Sequence, residues 1–250
     1  MSQQPDLAHP CLCVDPWRVD GTDGSRRPID ATVEVWVRAT TSSAGVPGAA
    51  APTAAGLDGL ERERWSRLVD RRDATAYLVL HALARHEIGR LLGRPPASLR
   101  FDRTCPDCGR QHGAPRLLDD PGLYLSLSRT RAVVALALSR AGPLGVDVEA
   151  VDAVGFTGYD DVALHPDERP RGARELTDAT TWVRKEAALK ALGVGLRVDP
   201  ATFATPAPGV PTEIVPGMPS VTVVDLDVPS AYAAAVALAS AAGALAVRAH

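Results

Sequence analysis

Four side chains in this sequence could share one piece of chemistry. Asp147 and Glu149 stand in Gly145-Val-Asp-Val-Glu149, and Glu186 and Lys190 stand in Trp182-Val-Arg-Lys-Glu-Ala-Ala-Leu-Lys190. Acids two apart on an extended chain point to the same face. They repel each other, so something positive is expected between them, either Lys or Arg or a metal ion. A ligand set made only of oxygen suits Mg²⁺, which completes its shell with water and substrate phosphate. Glu186 becomes a third ligand if its helix lies across the strand. Taken alone, Glu186 and Lys190 also read as an ordinary exposed ion pair at i, i+4.

Two elements must position these groups. Alternation of Val with acid over 145–149 predicts a strand, with Val146 and Val148 on the opposite face. The stretch from Trp182 to Leu196 is rich in Ala, Leu, Lys, Glu and Arg and predicts a helix. Thr180 or Thr181 is the expected N-cap, and Gly193 and Gly195 the expected end. Trp182, Glu186 and Lys190 share one helix face, and Ala188, Leu189 and Leu192 form a stripe that can face a core.

Gly-Val-Asp-Val-Glu followed by Trp-x-x-Lys-Glu-Ala-x-x-Lys-x-x-Gly-x-Gly-Leu resembles the 4'-phosphopantetheinyl transferases. It looks most like the larger, broad-specificity type that serves nonribosomal peptide and polyketide synthases. The resemblance covers about residues 57 to 240. It implies an α+β fold, a pseudodimer of two similar halves, each with antiparallel strands packed on a long helix. It implies transfer of phosphopantetheine from coenzyme A to a Ser of an acyl or peptidyl carrier protein, in polyketide, nonribosomal peptide or fatty acid synthesis, releasing 3',5'-ADP. Asp147, Glu149 and Glu186 would hold Mg²⁺, Glu186 would take the Ser proton, and Lys190 would stabilise the pyrophosphate, with Lys185 a further phosphate contact. The enzyme is expected to be cytoplasmic and monomeric.

The same resemblance assigns coenzyme A contacts in the first half. Basic residues of the run from Glu61 to Arg72 would meet the 3'-phosphate, with Arg64 the best positional match and Arg71 beside it. Read from the residues alone, that run is a solvated helix face. Ala76 stands where relatives often carry a basic residue, and Ala114 where they carry a coenzyme A-contacting Lys; Arg116 is the nearest substitute. Ser126-Leu-Ser-Arg-Thr130 matches the family's Asn-x-Ser-His-Ser turn, so Ser128 and Arg129 join the contacts, Arg129 replacing a His with a permanent, bidentate cation.

The 250 residues, 46% hydrophobic, suffice for one large domain or two small ones. We expect an unstructured segment over 1–28, a coenzyme A-binding half over 29–142 and a metal-bearing half over 143–250, divided at Gly142-Pro143. Strands are expected over 31–38, 98–103, 123–127, 132–139, 221–226 and 231–239, and a helical region over 60–92 that breaks near Asp70. A net charge of −3 gives no reason to expect nucleic acid as a partner. The uncharged stretch 231–247 is mostly Ala and predicts a turn and buried strand, not a membrane helix. No signal peptide is expected. Cys11/Cys13 and Cys105/Cys108 form two close pairs. Zinc would need four ligands, with His112 a third and Cys11 or Cys13 a distant fourth, so free thiols in a turn are the expectation. Two other classes stay open: an inactive or regulatory coenzyme A-binding protein of the same fold, and a zinc-stabilised interaction module.

Overall fold

The computed structural model describes residues 32–41, 53–169, 178–239 and 245–250. The expected N-terminal segment 1–28, with Cys11 and Cys13, lies outside them, as does most of the Ser-, Gly- and Pro-rich stretch 40–56.

Alternation in Thr-Val-Glu-Val-Trp-Val folds as strand β1 (Thr32–Ala39). The expected helical region splits at Asp70 into α1 (Gly59–Ser66) and α2 (Arg71–Leu92). Asp58 caps α1 in a capping box with Glu61, and Asp70 caps α2 by accepting from the Arg72 and Asp73 amides. Gly93 takes the left-handed conformation, φ 64°, that ends α2. The strand expected over 98–103 shrinks to β2 (Phe101–Asp102), because a 3-10 turn at Pro96–Ser98 absorbs the residues before it. β2 pairs with β3 (Arg116–Leu117), and the Cys-x-x-Cys segment forms the loop between them.

β4 (Tyr124–Arg129) and β5 (Val133–Ser139) form a hairpin. Ser128 and Arg129 are therefore strand residues and not turn residues as expected; the reversal falls at Thr130, whose hydroxyl accepts the amides of Ala132 and Val133. After β6 (Leu144–Ala150) and the short α3 (Tyr159–Ala163) comes α4 (Asp178–Ala191). That helix already includes Asp178 and Ala179, so Thr180 and Thr181 lie inside it and do not cap it. Gly193, φ 66°, ends it as expected. β7 (Val221–Asp225) and β8 (Tyr232–Ala239) follow, and then a strand that the sequence did not suggest, β9 (Ala246–Ala249).

One sheet runs β4-β5-β1-β9, the other β6-β8-β7. All neighbours are antiparallel except β9, which adds parallel to β1. In both sheets a first strand is followed by a long helix and two more strands, the last of which lies between the other two. Sequence alternation sorts the faces. Trp36, Val134, Leu136 and Leu138 pack on α2, while Val33, Val35, Ala135 and Ala137 meet Val146, Val148, Ala234 and Val236 of the second sheet. The far face of the second sheet, with Ala235, Ala237, Val221 and Val223, packs on α4. The layers are thus helix, sheet, sheet, helix. Burying each of these Val side chains contributes about 1.5–3 kcal/mol. Among the described residues no helix is long and apolar enough to cross a membrane; the uncharged 231–247 stretch supplies β8 and part of β9.

Candidate functional site

Gly145 sets the distance between α4 and β6. A Cβ at this position would stand 2.0 Å from the Ala187 carbonyl oxygen and 2.6 Å from Lys190 Cβ, so only glycine lets the helix lie this close. Small residues on both sides continue the fit: Ala187, Ala188 and Ala191 on the helix, and Ala233, Ala235 and Ala237 on β8. Arg184 locks the helix to β7 through paired bonds of 2.7 and 2.5 Å to Asp225. Lys190, one turn beyond Glu186, is thereby laid over Asp147.

Asp147 is 3% exposed. Its Oδ1 accepts from Lys190 Nζ at 2.5 Å and from the Ser128 hydroxyl at 2.8 Å. Lys190 also donates to the Val146 carbonyl at 3.3 Å. The Ser128 hydroxyl accepts the Val148 amide at 3.3 Å, and Ser126 accepts the Val146 amide at 3.0 Å. The free edge of β6 is therefore satisfied by serines of β4, which joins the two sheets beside the acids. Asp147 Oδ2 is buried and has no hydrogen-bond partner.

Burial first, then the Asp147 charge, pushes the Glu149 carboxyl up to about 7. Burial also raises Glu186 to about 7, with Asp147 adding to it and Lys190 pulling against it. Burial opposes the charged form of Lys190, but Asp147 and Glu186 raise its pKa above the ordinary Lys value. Three carboxylates thus face one ammonium. Donor type, surplus negative charge and the unpartnered oxygen of Asp147 fit a hard divalent cation such as Mg²⁺. The three carboxylates do not all lie within 4.8 Å of one another, so as placed they would not all touch one ion directly.

Other expected site residues are dispersed. Lys185 is fully buried and donates to Glu168 at 2.7 Å and to the carbonyls of Ala163, Phe203 and Pro200 at 2.8, 2.8 and 3.0 Å. It ties α3 and the segment after α4 to the helix, so the expected phosphate contact is corrected to a structural anchor. Ser128 points at Asp147, but alternation along β4 sends Arg129 the other way. Arg129 lies 3.7 Å from Asp73 and over the Tyr77 ring at 5.9 Å. Arg71 is exposed at the start of α2, near Asp73 in the chain. Arg64, on α1, donates to the Gln111 carbonyl and faces a hollow shared with Arg67, Arg110 and His112. Arg116 pairs with Asp102. Ala76 is fully buried in the α2 core, where no basic side chain would fit unpaired.

A cavity of about 500 Å³ opens between β3, β4 and the end of α4. Leu117, Leu123, Leu125 and Leu127 line it; Arg116 and Lys190 contribute the cations and Ala114 a rim. It reaches the acid cluster only through Lys190.

Sequence reading missed the group that holds α1 in place. Glu61, read as part of a solvated run, is buried and accepts from His81 at 3.1 Å, Arg85 at 2.8 Å and Arg103. Burial disfavours its charge, yet His81 and Arg85 hold its carboxyl well below the usual range. The signal was present: a Glu three after Asp58 is a capping-box residue and is held inward. The serines' partnership with β6 is long-range and leaves no mark in the chain.

The family model of the 4'-phosphopantetheinyl transferase superfamily matches residues 143–236. That range holds β6, α4, β7 and most of β8, and with them Asp147, Glu149, Glu186 and Lys190. The match covers less than half of the chain, and the superfamily's description names a transferase. No curated protein matches the chain.

Proposed function

We propose that the protein transfers the 4'-phosphopantetheine group of coenzyme A to a serine of an acyl or peptidyl carrier protein, releasing 3',5'-ADP, as a Mg²⁺-dependent enzyme of the broad-specificity type. The observation that carries this is the meeting of Asp147, Glu149, Glu186 and Lys190 on one face of β6 and α4, inside the residues that match the superfamily. The repeated strand order of the two sheets supports a pseudodimer. Coenzyme A as donor places the reaction in the cytoplasm.

Asp147, Glu149 and Glu186 are the residues that would hold Mg²⁺, which would neutralise charge on the pyrophosphate. Lys190 meets the same charge from the helix side, at the mouth of the cavity. The apolar walls of that cavity suit the pantetheine arm, and Arg116 at its edge suits a phosphate. Arg64, Arg71 and Arg129 are the first-half cations assigned to the 3'-phosphate. In the transfer the serine oxygen bonds to phosphorus and the pyrophosphate P–O bond breaks. The serine proton passes to a carboxylate, for which Glu186 is assigned. Val151, Phe156 and Val162 are exposed in the segment after Glu149 and offer apolar contacts to a docking carrier protein.

Incubation with coenzyme A, Mg²⁺ and a panel of apo carrier proteins, read by intact mass, tests the assignment. Addition of one phosphopantetheine to carriers of polyketide or nonribosomal peptide synthases is expected. Failure with every carrier, by folded protein, would reject it.

A further inference from the structure

The loop between β2 and β3 brings together three side chains that play no part in the transfer. Cys105, Cys108 and His112 place one ligand atom each within 4.8 Å of the others. They are the set of three among the described residues that do so. Cys108 Sγ stands 2.9 Å from His112 Nε2. Ligand atoms around a tetrahedral Zn²⁺, with Zn–S about 2.3 Å and Zn–N about 2.0 Å, stand roughly 3.5–3.8 Å apart, so a small opening of this contact would admit the ion.

The loop is built to hold that arrangement. Cys-Pro-Asp-Cys-Gly closes on itself: the Cys105 amide donates to the Arg110 carbonyl and the Gly109 amide to the Cys105 carbonyl, both at 2.8 Å. Gly109 makes the reversal at φ 69°, which a side chain would strain. The Gln111 side chain then accepts the Arg103 amide at 3.1 Å and donates to the Thr104 hydroxyl at 2.7 Å. Arg103 is in turn fixed by Glu61 and Asp58. Arg110 Nε lies 3.5 Å from Cys108 Sγ and supplies positive charge beside a thiolate. Held in this way, the ligands lose little freedom on binding. Cys105 is buried, while Cys108 is exposed and His112 partly so, leaving an open side for water.

We infer that this loop binds one Zn²⁺ through Cys105 Sγ, Cys108 Sγ and His112 Nε2, with water in the fourth position. Two sulfurs and an imidazole select a borderline-soft tetrahedral ion over Mg²⁺. The reading replaces the free thiols expected from the sequence, because His112 is folded back onto Cys108. The loop continues through Ala114 and Arg116 into the cavity wall, so the ion would brace one side of that cavity.

The test uses the full chain under reducing conditions, titrated with Co²⁺ and then Zn²⁺. One equivalent of Co²⁺ should give the d–d absorption of a four-coordinate ion and charge-transfer absorption of two thiolates, and Zn²⁺ should abolish both. Cys108→Ser, at an exposed position that the fold tolerates, should remove most of the charge-transfer band. The double variant Cys11→Ser with Cys13→Ser should leave it unchanged. Absence of the Co²⁺ spectrum in folded wild type would overturn the proposal. So would a band that survives Cys108→Ser, or one that falls in the Cys11/Cys13 variant.

Discussion

Asp147 carries more than a ligand's share of this site. It is paired with Lys190 and Ser128 through one oxygen and leaves the other buried without a partner. Carboxylate repulsion alone would make Asp147→Ala a stabilising change. The Lys190 contact reverses that sign, because the variant removes the carboxylate that accepts a hydrogen bond from this largely buried ammonium. Asp147→Ala should therefore melt several degrees below wild type and lose transfer by orders of magnitude. Restoring the melt in Asp147→Ala with Lys190→Met, without restoring transfer, would separate the two roles. Glu149 offers a pH test in metal-free protein. Burial pushes its carboxyl up to about 7 from the ordinary 4.5, so between those limits the folded state holds a proton that the unfolded chain has lost. Its contribution to stability therefore falls as pH rises through that window. In EDTA, Glu149→Gln should raise Tm at about pH 8 and change it little at about pH 5. Equal shifts at both would show that Glu149 titrates normally. The acids and the lysine were legible in the sequence from type and spacing. The partner of each was not, since Asp147–Lys190 and Asp147–Ser128 depend on how three elements cross.

Close approach of α4 to β6 is the feature on which the cluster depends. Gly145→Ala would drive a methyl into the Ala187 carbonyl and Lys190 Cβ. Overpacking of this kind costs about 1–3 kcal/mol. The variant should fold with a lower Tm and show a larger loss of kcat than of coenzyme A affinity, because Glu186 and Lys190 move while the first half does not. A normal melt would refute the packing account. Ser128→Ala tests the β4–β6 seam: it leaves the Val148 amide without its acceptor and should cost about 1–3 kcal/mol. At this scale the sequence was a good guide where periodicity is strong, as in β1, β6 and α2. It misplaced the start of α4, where Thr-Thr imitates a cap within a continuing helix, and the 126–130 turn, where strand pairing with β5 overrode the motif. It also read Lys185 as a phosphate contact, whereas the structure buries it among four oxygens.

Across the whole molecule, two sheets of like connection order lie back to back, with a helix on each outer face, and the acids sit where β4 meets β6. The first half contributes the serines, the cavity wall and the cations Arg64 and Arg129; the second contributes the acids and Lys190. β9 was not readable: a four-residue strand has too little pattern, and its pairing with β1 spans most of the chain. Arg129→Ala should raise KM for coenzyme A more than for the 3'-dephospho form; equal effects would detach Arg129 from that phosphate. The central claim is that one face of β6 and α4 performs phosphopantetheine transfer. The most direct measurement is single-turnover transfer to an apo carrier protein with Mg²⁺, comparing wild type with Glu186→Gln, a change that keeps size and removes charge. Rapid transfer by wild type and a loss of orders of magnitude in the variant, with its melt intact, is the predicted result. Near-normal transfer by Glu186→Gln, or none by wild type that binds coenzyme A, would contradict it.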